Sequence, residues 1–229
     1  MGKDRLIFVN TSPFLDAFFA DFVNRTDFIT IFAAKSRFKT EKDMKRILSL
    51  AVACLTFLCC LAAVDPHYGV GSVPVVNGRV LFEKTVVVKD ASSEQIFDKA
   101  MRWAESRFAK PNVIASKYAE IDSVNHHFVV NAEEYIVFKN TFLELDRTRI
   151  NYWYEITCND GSFTVRMTRI TYWYEENRDG GERFTAEEWI TDEQCFNKKK
   201  TRLLRRTGKF RIKTIDLFDS LVRQLQDKF

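Results

Sequence analysis

Two groups of residues in this sequence have the types and spacing to do chemistry. Lys198 to Lys213 reads KKKTRLLRRTGKFRIK, nine basic residues with no acid among them. Lys198, Lys199, Lys200, Arg202, Arg205 and Arg206 form its densest part. As a patch they would hold phosphate, acidic glycan or anionic lipid headgroups. The competing role is a solvated connection, its charge offset by the acidic segment just before it. The second group is the triplet YWY, found at 152–154 and again at 172–174. Trp153 and Trp173 have rings that can stack sugars, bases or peptide side chains. The competing role is cross-strand pairing and core packing, since rings that alternate between faces leave at least half of them buried.

Other reactive residues are scattered. Glu187 and Glu188 are adjacent, and with Glu155 they are candidates for a dispersed acid/base set. His126 and His127 would face opposite sides of a strand, with no third ligand at useful spacing, so no metal site is expected. The sequence has no Gly-rich phosphate loop, GxSxG elbow, CxxC or HExxH, which leaves no spacing-defined catalytic constellation and implies no cofactor. Cys158 and Cys195 are either a disulfide, in an oxidising compartment, or two unpaired, partly buried thiols. Spacing does not decide between them.

An apolar stretch governs where these residues work. Met44 to Val64 reads MKRILSLAVACLTFLCCLAAV: a short basic start, an 18-residue run without charge from Ile47 to Val64, and small residues where a signal peptidase reads. The pattern predicts an export signal at 44–63 and a protein in the periplasm or at the cell surface. The alternative is an uncleaved anchor, and membrane contact is expected only through this stretch. Residues 1–43 hold eight Phe and precede the signal, which reads as an extension that is untranslated or disordered. Residues 64–229 carry 26 basic and 25 acidic residues. The net charge of +4 for the whole chain is therefore no argument for nucleic acid as a partner.

The elements that must position the candidate residues follow from periodicity. HYGVGSVPVVNG, within 64–78, reads as an extended linker. Residues 79–229 read as one domain. Arg79 to Lys89 is rich in β-branched residues and predicts a strand. Ser92 with Gln95 matches a capping box, and Ile96, Phe97, Ala100, Met101, Ala104 and Phe108 form a helical stripe flanked by Trp103. Pro111 stops that helix. Residues 113–142 are strand-like. RINYWYEITC and SFTVRMTRITYWY, joined by Asn159-Asp160-Gly161, predict a hairpin. Its second strand slips phase at Thr168-Arg169, the mark of a β-bulge. The last helix is expected from Thr214, as N-cap, to Lys228.

The order and several local phrases resemble a bacterial family, domain of unknown function 4468, described as having a TATA-binding-protein-like fold. The phrases are VVNGRVLFEKTVVV with SSEQIFDKAMRWAESRF, AEEWI at 186–190 and KTIDLFDSLVRQL at 213–225, and the resemblance spans about residues 75–229. It implies an α+β fold in which an antiparallel sheet of about five strands carries two helices in the order β-α-β-β-β-β-α. Members are typically exported proteins of Bacteroidetes without an established activity, so the resemblance carries over no catalytic residue. The expected function is a non-catalytic binding or structural module. The expected partner is an envelope protein, a glycan or an anionic lipid. The alternatives are an enzyme using dispersed carboxylates, or a tether acting through 198–213.

Overall fold

The computed structural model describes residues 64–142 and 144–229. The 1–43 extension and the export signal at 44–63 lie outside the described residues. Alternation writes the central strands. In β6 (Leu145–Asn159) Ile150, Tyr152, Tyr154 and Ile156 are wholly buried, while the residues between them are half-exposed. Gly161, at φ 74°, supplies the turn into β7 (Ser162–Tyr174). The expected bulge is present: Arg169 sits at φ 50° and the β6–β7 register shifts between Asn151 and Trp153. The bulge returns Ile170 and Tyr172 to the buried face that Phe163, Val165 and Met167 occupy.

The other strands are β1 (Val75–Val76), β2 (Arg79–Val80), β3 (Phe82–Val87), β4 (Val113–Asp122), β5 (His127–Asn140) and β8 (Glu182–Thr185). The main sheet runs β3-β7-β6-β5-β4, every neighbouring pair antiparallel. β8 pairs with β7 over Thr171–Tyr174, further along the edge that β3 occupies over Ser162–Met167. This is the expected five-strand α+β sheet in the expected element order.

Helices cover one face of the sheet. α1 (Ser93–Phe108) begins with the predicted capping box: Ser92 Oγ accepts from Gln95 N at 3.3 Å and Gln95 Oε1 accepts from Ser92 N at 3.1 Å. Trp103, expected beside the stripe, is inside it at 4% exposure. Two single turns, α2 (Ala186–Trp189) and α3 (Asp192–Cys195), precede α4 (Arg205–Gln226). α4 starts well before Thr214. Thr214 is no N-cap; it is buried mid-helix, its hydroxyl donating to Phe210 O at 2.8 Å. The polar-looking RRTGKFR hides the first turns of a buried stripe, Gly208, Phe210 and Arg211, which continues through Ile215, Phe218, Leu221, Val222 and Leu225.

The core also contains ionic groups, each paired. Arg107 Nη2 donates to both oxygens of Glu134 at 2.8 and 2.9 Å, and Asn112 and Tyr152 donate to the same carboxylate. Such burial requires pairing, because an isolated charge there loses its hydration uncompensated. Arg211 is wholly buried. Its guanidinium donates to Tyr68 O (3.0 Å), Ile190 O (2.9 Å), Gly69 O and Ser72 Oγ (3.0 Å), and pairs with Asp192 at 2.8 Å.

The 64–78 segment, expected as an extended linker, is thereby tied to the helix layer. It forms a 3₁₀ turn at Pro66–Tyr68 and then β1, which turns through Asn77-Gly78 into β2. Tyr68 OH donates to Asp216 at 2.7 Å, a bond that, with burial, pushes the phenol up to about 12 and keeps it protonated. No helix among the described residues is long and apolar enough to cross a membrane.

Candidate functional site

The basic stretch 198–213 does not form one patch. Lys198, Lys199, Lys200 and Arg202 are exposed in the turn before α4, and Arg205 and Arg206 are exposed in its first turn. Arg206 pairs with Glu182 and lies 5.1 Å from the Trp189 ring centroid. Beyond this point helical periodicity turns Lys209 and Arg211 inward, while Lys213 stays partly exposed, 3.7 Å from Asp216. Lys209 donates to Asp146 at 2.6 Å and to Tyr174 OH at 2.9 Å, and Arg211 is buried.

The face of the sheet opposite the helices carries a different arrangement. Strand register puts Tyr135 opposite Arg149, Arg149 opposite Trp173, and Trp173 opposite Arg183. This makes one row across β5, β6, β7 and β8 in which aromatic rings and guanidiniums alternate. Arg149 Cζ lies 4.8 Å and Arg183 Cζ 4.1 Å from the Trp173 ring centroid. Arg147 lies 3.8 Å from the Tyr135 centroid and Arg169 3.9 Å from that of Trp153. These are cation–π distances. A guanidinium resting on a ring can still donate from the N–H groups at its edge to a carboxylate or phosphate.

The four arginines differ in what else they touch. Arg149 is neutralised by Glu176 and Glu133, and Tyr135 OH donates to Glu176 at 2.6 Å. Arg147, Arg169 and Arg183 have no carboxylate partner among the described residues. Arg149 and Trp173 form a ridge between two shallow hollows. One, of about 530 Å³, reaches Leu145, Arg147 and Glu176. The other, of about 350 Å³, reaches Asn151, Arg183 and Glu188. Trp173 is fixed at its edge as well, Nε1 donating to Gly180 O at 2.8 Å.

Trp153 and Trp173 thus both lie on the open face, while Tyr152, Tyr154 and Tyr172 lie in the core. The arginines of the row were not among the sequence candidates. The available signal was Arg147 and Arg149 two positions apart on a strand, hence on one face.

The candidate acids are engaged elsewhere. Glu155 pairs with Arg166 at 3.4 Å, and Glu187 accepts from Val80 N at 2.8 Å. Glu188 caps α2, and its bonds from the Thr185 backbone and hydroxyl hold its pKa below the usual carboxylate range. His127 bonds Thr157 at 3.0 Å, while His126 sits in the β4–β5 turn at φ 50°. Cys158 and Cys195 form no disulfide. Cys158 ends the buried face of β6 and Cys195 closes α3, and both are free. Burial pushes their thiols up, to about 12 and about 11 respectively, so neither is a ready nucleophile.

Comparison with known proteins bears on this geometry. The family model described as a domain of unknown function (DUF4468) with TBP-like fold matches residues 82–173. A crystal structure of a DUF4468 family protein from Bacteroides ovatus has 35% sequence identity and a TM-score of 0.66, over 72% of this chain and 94% of that one. The chain belongs to the DUF4468 family. A crystal structure of a TBP-like protein from Parabacteroides distasonis has the same fold at 23% identity, with a TM-score of 0.57 over 68% of this chain and 96% of that one. No curated protein matches. The matched part of this DUF4468 domain runs from β3 to β7 and takes in Tyr135, Arg149 and Trp173; Arg183 on β8 and all of α4 lie beyond it.

Proposed function

We propose that this domain is a non-catalytic binding module, working outside the cytoplasm, whose open sheet face takes a ligand bearing a row of carboxylates. The observation that carries this reading is the Tyr135–Arg149–Trp173–Arg183 row, flanked by Arg147 and Arg169. The guanidiniums of Arg147, Arg169 and Arg183 are seated on rings, and none has a carboxylate partner among the described residues. Strands stand about 4.8 Å apart and rings alternate with guanidiniums, so Arg149 and Arg183 stand about 10 Å apart across Trp173. With both Arg149 and Arg183 on Trp173, the outward layer is cationic rather than aromatic. This favours hydrogen-bond acceptors over bare sugar stacking.

The test is calorimetric titration with a polyuronate, a polyglutamate and, as neutral control, dextran. Binding to at least one polyanion is expected, weakening as salt rises. The Arg147→Ala/Arg183→Ala double variant is expected to bind about ten- to a hundred-fold more weakly, two charge-assisted contacts having been removed. Binding to neither polyanion at low salt, or undiminished binding by the variant, would overturn the reading. A difference between the two polyanions identifies the backbone that carries the acids.

A further inference from the structure

β4 is the end of the sheet and the least covered of the long strands. Its ten residues show one half-covered position at each end and eight exposed ones between. Among the described residues nothing pairs with its outer edge. On the helix side Tyr118 and Ile121, opposite Val130 and Phe128, form an apolar strip 36% and 50% exposed, with Ile114 (39%) at a register shift before it. α1 touches β4 at Ser116, whose hydroxyl donates to Phe108 O at 3.3 Å. On the open-face side the strand carries Lys117, opposite Asn131, and Glu120, opposite Val129. A row of unpaired N–H and C=O groups beside an apolar strip is a template for another strand.

The bulge in β4 decides which strand fits. The register to β5 shifts twice, at the start of the strand between Val113 and Ala115 and at its middle between Tyr118 and Glu120. The second shift changes the phase within residues 115–122, the stretch available for pairing. A regular strand laid along this edge would match faces on one side of the bulge and mismatch them on the other. A strand with the same bulge at the same place keeps phase on both sides.

We infer that β4 pairs antiparallel with β4 of a second copy, about a two-fold axis passing between residues 118 and 119. In that register Lys117 lies opposite Glu120 of the other copy, and the axis repeats the pair. Ser116 then faces Ile121, and the two Tyr118 rings meet at the centre of the apolar strip. Charge complementarity and the cancelling bulges single out this register. The pairing joins two five-strand sheets into one, with both open faces on the same side. It stands independently of the acidic-ligand reading, because none of its residues belongs to the guanidinium row.

Sedimentation equilibrium of the purified protein tests it, in a mild detergent that masks the apolar 47–64 run. The expected result is a dimer. Lys117→Glu and Glu120→Lys each place two like charges opposite one another, and each is expected to raise the dimer dissociation constant about ten-fold. The combined Lys117→Glu/Glu120→Lys variant restores opposite charges and is expected to return it to near the starting value. All the substitutions are on exposed positions, so folding is monitored by circular dichroism only as a control. A monomer at about 100 μM, single variants that dimerise unchanged, or a combined variant as weak as either single one would overturn the inference.

Discussion

Arg211 and Arg183 are the same residue type used in opposite ways, and burial separates them. Arg183 is exposed, rests on Trp173 and has no carboxylate partner among the described residues. Arg211 has no exposed surface and turns every donor toward the protein, chiefly the carbonyls of Tyr68, Gly69 and Ile190. Removing it leaves those carbonyls without their donor and Asp192 without its cation, though Asp192 still accepts from Gly71 N. Arg211→Met is therefore expected to destabilise the domain by about 3–5 kcal/mol, the range for breaking a buried ionic contact. Urea unfolding measures this, and limited proteolysis is expected to cut first within 66–72. An unchanged midpoint with intact 66–72 would refute the role. Cys158 illustrates burial acting without a partner: its raised thiol pKa comes from lost hydration alone.

Elements position the open face through local devices, some of them readable from sequence. The Asp160-Gly161 turn, the Thr168-Arg169 bulge and the Ser92–Gln95 cap are written within a few residues of where they act, and all three are found as expected. The start of α4 is not readable in this way, because Arg211 and Thr214 look like solvent-facing residues until tertiary partners bury them. The guanidinium row is harder still. Its residues come from positions 135 to 183, and a one-residue slip in any pairing would send a member to the other face.

The β7–β8 connection completes the row. Gly181 has φ 72°, and a Cβ there would lie 2.6 Å from Tyr174 O and 2.7 Å from Trp173 Nε1. Gly181→Ala must open the turn. It is expected to lower stability by more than about 1 kcal/mol and to weaken polyanion binding by displacing Arg183 from Trp173. At Gly180 a Cβ meets nothing within 4 Å, so Gly180→Ala is expected to show only the backbone strain and to leave the row in place. Thermal melts and the polyanion titration distinguish the two. Equal behaviour of both variants would show that the contact with Trp173 is immaterial.

At the scale of the whole molecule, charge divides at the apolar stretch. The basic excess lies mainly before residue 64, and the remainder is balanced at 26 basic to 25 acidic residues. Export with cleavage is expected to yield a protein starting at or next to Val64, and N-terminal sequencing from an envelope fraction checks it. Recovery of chains starting at Met1 or Met44 would refute cleavage.

The Arg211 clamp also dictates an order of events along the chain. Tyr68 is bonded to Asp216, 148 positions later, and its carbonyl to Arg211, 143 positions later. The earliest docked residues therefore have no binding site until α4, the last element, has been made. A ribosome or an export channel delivers the chain N-terminus first. The β6–β7 hairpin can close as soon as it emerges, but residues 66–72 must wait as a tail for the final helix. Any chain cut short before residue 211 leaves that tail unfastened, a ready handle for proteases on incomplete molecules.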